Sequence, residues 1–74
     1  MKKLKEMREN AKISQGDLAR LLGYSSPQYV SNWERGICEF PKRKIRKFAQ
    51  VVGVSESKVV EALLDGYKKK LTKR

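Results

Sequence analysis

Residues 13–36 read Ile-Ser-Gln-Gly-Asp-Leu-Ala-Arg-Leu-Leu-Gly-Tyr-Ser-Ser-Pro-Gln-Tyr-Val-Ser-Asn-Trp-Glu-Arg-Gly, two short helical runs that each carry their own start and stop. Ser14 stands three residues before Asp17, a capping-box pattern, and Ile13 and Leu18 flank it as a hydrophobic staple. The second helix of the chain therefore begins at Ser14. It carries Leu18, Ala19, Leu21 and Leu22 and stops at Gly23, the residue type that most readily takes the left-handed conformation ending a helix. Gly16 in its first turn costs up to ~1 kcal/mol relative to Ala. Ser26 followed by Pro27 then opens a third helix, from about Pro27 to Arg35, and Gly36 closes it.

Outward from this pair the helical period continues in both directions. Upstream, Leu4, Met7 and Ala11 mark a first helix over about residues 2 to 11. Downstream, Pro41 fits the first turn of a fourth helix, about 41 to 52, in which Ile45, Phe48, Ala49 and Val52 recur, and Gly53 ends it. Ser55 caps a fifth, whose apolar stripe of Val59, Val60, Leu63 and Leu64 runs until Gly66. The expected fold is all-α, five short helices in one domain over 1–67, with a basic, frayed tail over 68–74.

A chain of 74 residues makes one domain, so function is expected on the surface of a single small fold. Eighteen Lys and Arg against eight Asp and Glu leave a net charge of +10, which implies a polyanionic partner, nucleic acid first and an anionic membrane surface second. No run approaches the ~18 apolar residues of a membrane span, and the start, Met1-Lys2-Lys3-Leu4-Lys5-Glu6, lacks the apolar core of a signal peptide. A cytoplasmic protein is expected, nucleoid-associated when bound to DNA. Cys38 is the only cysteine and there is no histidine, so neither an intrachain disulfide nor an ordinary zinc site can form. Ser14, Ser25, Ser26, Ser31, Ser55 and Ser57 have no His to act as base. The reading is a binding protein with no metal or cofactor, not an enzyme.

At roughly 100° per residue, Val30 and Trp33 lie on one side of the third helix and Gln28, Ser31, Asn32 and Arg35 on the other, with Tyr29 on the flank. Trp33 is read as core, not as a base-stacking platform. Gln and Asn amides match the N6 and N7 edge of adenine, Arg that of guanine, and Ser either. A solvated polar face would present the same residues. The neighbourhood favours DNA: Ser14 and Gln15 start the second helix, Lys42, Arg43 and Lys44 the fourth, and helix starts attract phosphate.

The segments Ile13 to Gly23, Val30-Ser31-Asn32-Trp33-Glu34-Arg35-Gly36 and Val52-Gly53-Val54-Ser55 resemble the phage-repressor and Cro-like helix-turn-helix family, over residues 4 to about 64. The resemblance implies a lambda-repressor-like domain that regulates transcription, with about Pro27 to Arg35 as recognition helix in the major groove. It implies base contacts from Gln28, Tyr29 and Asn32, a phosphate contact and a brace on the recognition helix from Gln15, and phosphate contacts from Lys42 and Arg43; the reading of the residues themselves adds Ser31 at a base and Ser14, Ser26 and Arg35 at phosphate. It assigns structural roles to Arg8, Ala19, Gly23, Val30, Trp33 and Glu34, with Arg8 paired to Glu34. The implied partner is duplex DNA carrying a pseudo-palindromic operator, bound by a homodimer. The chain departs from the pattern in one extra residue between Gly23 and Val30 and in acidic Glu39 where the family is often basic.

Some residues stay open at this level. Tyr29 can touch a phosphate or a thymine methyl, or pack on the turn. Cys38 reads as inert. The basic end is a solubilising tail, an arm along DNA or a cloning remnant. The alternative function is an antitoxin or other protein-interaction module with autoregulatory DNA binding, its protein partner unknown; RNA binding lacks an exposed aromatic ladder.

Overall fold

A computed structural model describes residues 1–72, with side chains from 1 to 67. The described residues form α1 (Lys2–Asn10), α2 (Gln15–Leu21), α3 (Gln28–Glu34), a 3₁₀ turn (Lys42–Lys44), α4 (Ile45–Val52) and α5 (Glu56–Thr72), with no strand among them. The fold is all-α with five helices, as the helical periods and caps predict.

Local chemistry sets most of the boundaries. Ser14 Oγ accepts from the Asp17 amide at 3.0 Å, Ser26 Oγ from Gln28 at 3.1 Å and Ser55 Oγ from Lys58 at 3.3 Å, so each hydroxyl satisfies a donor that its helix start would leave open. Gly23, at φ 90°, turns the chain out of α2. The amides of Gly23 and Tyr24 there close on the carbonyls of Arg20 and Ala19 at 3.0 and 2.9 Å, a left-handed turn that a Cβ disfavours. The same two bonds end α3, from Gly36 to Trp33 and from Ile37 to Asn32. They also end α1, where Lys12 takes the left-handed position at φ 60° with no glycine to offer.

Boundaries of three helices differ from the sequence expectation. Pro41 has ψ 125° and is extended, so a single 3₁₀ turn precedes α4, which begins at Ile45 and not at 41. α3 is shorter by one residue at each end, with Pro27 and Arg35 as its flanking caps. Gly66 does not end α5, which runs on to Thr72. A Cβ at Gly66 would meet Met1 Cγ at 2.9 Å, so this glycine makes room for the close approach of Met1. The expected basic tail is therefore helical backbone as far as Thr72; Lys73 and Arg74 lie outside the described residues.

Every helix contributes to one core, Leu4 from α1, Leu18 from α2, Val30 from α3, Phe48 from α4 and Val59 from α5. Burying each such side chain fully stabilises the fold by roughly 1.5–3 kcal/mol. Ala19 is buried on α2, where a longer side chain would hold that helix off its neighbours. Tyr24, Trp33, Phe40 and Phe48 follow one another edge-on at centroid distances of 5.3, 4.8 and 5.3 Å, coupling the turn before α3 to α4. Among the described residues, no helix is long and apolar enough to cross a membrane.

Candidate nucleic-acid interface

The underside of α3 is fixed by Val30 and Trp33, 1% and 4% exposed. The four positions Gln28, Ser31, Asn32 and Arg35 consequently share the opposite stripe. Gln28 and Arg35 are exposed there, and Ser31 and Asn32 are half-buried. Gln28 Nε2 donates to Asn32 Oδ1 at 2.9 Å, and Arg35 Nη2 donates to the same oxygen at 3.3 Å. Three of the four side chains thus form a hydrogen-bonded row along the helix. Tyr29 is 45% exposed while its ring lies 4.6 Å from that of Tyr24, so it packs on the turn and still presents an outer edge.

α3 is held at its far end by one carboxylate. Glu34 Oε2 accepts from Arg8 Nε at 2.6 Å, and Oε1 accepts from Arg8 Nη2 at 3.3 Å and from Gln15 Nε2 at 3.0 Å. Arg8 Nη1 also donates to the Ile13 carbonyl at 2.8 Å. The two charged side chains are only 10% and 5% exposed, so this pair ties α1, α2 and α3 together and is not available to a ligand. Gln15 gives one Nε2 hydrogen to this brace and keeps the other. The amino group of Met1 donates to the Glu34 carbonyl at 2.8 Å, placing a positive charge at the C-terminal end of α3. Every buried side-chain polar atom among the described residues has a partner.

The residues expected at phosphate, apart from Arg35 on the α3 stripe, occupy three places. Ser14 is exposed at the start of α2; its oxygen caps the Asp17 amide, and the amides of Gln15 and Gly16 have no acceptor within the helix. The Asp17 carboxylate of the same turn is paired with Arg20. Ser26, half-buried before α3, accepts from Gln28 and keeps its hydroxyl proton to donate. Lys42 and Arg43 are exposed in the 3₁₀ turn, and their side chains have no ion-pair or hydrogen-bond partner among the described residues. Their neighbour Lys44 places Nζ 5.4 Å from the centre of the Tyr24 ring, which brings that basic turn beside the turn leading into α3. Glu39 and Cys38 are exposed in the loop between them and α3. Burial raises the ionisation of the Tyr67 phenol above its usual value of 10.0, and the Glu39 carboxylate adds to the shift.

The sequence reading missed the row that joins Gln28, Asn32 and Arg35, although spacings of four and three residues on a helix are signal enough for such contacts. It also missed Lys44 over Tyr24, whose partners lie far apart in the chain and carry no local mark; the brace of Gln15 on the recognition helix, which the family resemblance implies, is made through Glu34. Among the described residues, no three His, Cys, Asp or Glu side chains gather to hold a metal ion. What converges on α3 is donors, acceptors and positive charge.

A helix-turn-helix family model matches residues 4–59. No curated protein and no solved structure matches the chain.

Proposed function

The chain belongs to the helix-turn-helix family of DNA-binding regulators, and from that premise we propose that it reads duplex DNA sequence-specifically as a homodimer, with α3 in the major groove. The observation that carries this reading is the hydrogen-bonded row of Gln28, Asn32 and Arg35 on a helix whose other side is anchored by Val30 and Trp33. In this reading Gln28, Tyr29, Ser31 and Asn32 meet base edges. Ser14, Gln15, Ser26, Lys42 and Arg43 meet phosphate on either side and set the register, with Arg35 at the far end of the row. A net charge of +10 supplies the long-range attraction. The protein acts in the cytoplasm as a repressor-like regulator of transcription by occupying its operator.

The homodimer is supported by α5. Val60 and Leu64 stand one turn apart on it, 40% and 60% exposed, an apolar pair suited to a second copy. Two recognition helices would then enter successive major grooves about 34 Å apart on a pseudo-palindromic site.

Selection from random duplexes, followed by titration of the selected and a scrambled duplex at fixed salt, tests the reading. The selected site should bind at least about a thousandfold more tightly. Equal affinities would reduce the protein to a non-specific polycation binder.

A further inference from the structure

We infer that the two amides of α3 read different bases, Gln28 an adenine and Asn32 a guanine, an inference that rests on the major-groove reading above. An arginine side chain has donors only. The Asn32 atom 3.3 Å from Arg35 Nη2 is therefore the amide oxygen, and the same oxygen accepts from Gln28 Nε2 at 2.9 Å. An amide oxygen has two lone pairs, and here both are taken. Asn32 is left with the two N–H groups of Nδ2 and no acceptor.

Gln28 is placed differently. It spends one Nε2 hydrogen on Asn32 and retains the other together with its free Oε1. One donor and one acceptor are what the N7 and N6 edge of adenine requires, whereas guanine shows two acceptors, N7 and O6. The donor-only Asn32 fits guanine; against adenine it would set N–H against N–H. Residue type alone assigns both amides to adenine, and the row of hydrogen bonds is what separates them. Arg35 is in this scheme a positioning residue, which acts on the base through the orientation of the Asn32 amide.

The test is parallel selection from random duplexes with the unmodified protein, N32A, R35M and R35K. The base pair whose preference disappears in N32A is the one that Asn32 reads. There the unmodified protein should prefer guanine over adenine by roughly tenfold, and 7-deazaguanine should lower affinity by about fivefold, the effect of one neutral hydrogen bond. R35M frees a lone pair on Oδ1 and should move the ratio toward adenine by about fivefold. R35K, which keeps a donor, should retain guanine. A base other than guanine at that pair, an unchanged ratio in R35M, or no preference lost in N32A overturns the inference while the major-groove reading stands. Failure of every duplex to be enriched overturns that reading and this inference together.

Discussion

Glu34 serves two partners in two helices, Arg8 and Gln15, through a carboxylate that is 5% exposed. Glu34→Ala removes the counter-charge of an arginine that is itself nearly buried, which costs about 3 kcal/mol, the lower end for a broken buried pair. For a domain of this size the melting temperature should fall by roughly 12–24 °C, read by circular dichroism. A loss below about 1 kcal/mol would mean that the pair behaves as an exposed one. The opposite sign is expected at Lys12, a left-handed residue at φ 60°. Lys12→Gly relieves about 1 kcal/mol of backbone strain, a rise of about 4–8 °C in the same measurement, whereas Lys12→Ala keeps the strain. Single residues were unevenly legible in the sequence. Gly23, Gly36 and Gly53 announce their turns, because glycine is the residue such turns select. Lys12 occupies the same kind of turn without announcing it, and Gly66 looks like a stop while lying inside α5.

At the scale of the helix, α3 is only seven residues long, and isolated helices below about 12–15 residues are marginal in water. Its order comes from the Ser26 cap, the paired bonds at its end and the burial of Val30 and Trp33. The spacing of that valine and tryptophan made the buried side of α3 legible, and with it the outward stripe. The element that was not legible is the 3₁₀ turn. Proline at position 41 suits the first turn of a helix in φ, but ψ is settled by the chain's route to the core, where Phe40 and Phe48 lie 5.3 Å apart. The consequence is functional, since Lys42 and Arg43 are presented by a tight turn tied to Tyr24 through Lys44. If that turn meets phosphate alone, Lys42→Ala weakens binding to selected and scrambled duplexes equally. It should also reduce the slope of log affinity against log salt by about one. An effect confined to the selected duplex would place Lys42 at a base.

For the whole molecule the distribution of apolar surface matters more than its amount. Scattered exposed hydrophobic residues are ordinary, and Leu21 and Ile37 need no partner to account for them. Val60 and Leu64 differ because α5 places them one turn apart, beside the buried Val59 and Leu63 of the same helix. Leu64 is 60% exposed, so Leu64→Glu should change the melting temperature little in a monomer, within the ±0.5 kcal/mol of an ordinary surface substitution. In a dimer built on this face it places like charges across the two-fold axis. Sedimentation equilibrium should then give a monomer for the variant and a dimer for the unmodified protein. Binding to an isolated half-site should be retained, because α3 and its brace from Glu34 do not involve Leu64, while the gain from joining two half-sites is lost. A variant that remains dimeric, or an unmodified protein that is monomeric when saturated with its operator, would move the subunit contact off α5 or remove it. The two half-site measurements separate these cases, since a monomer gains nothing from a second half-site at any spacing and a dimer joined elsewhere still does.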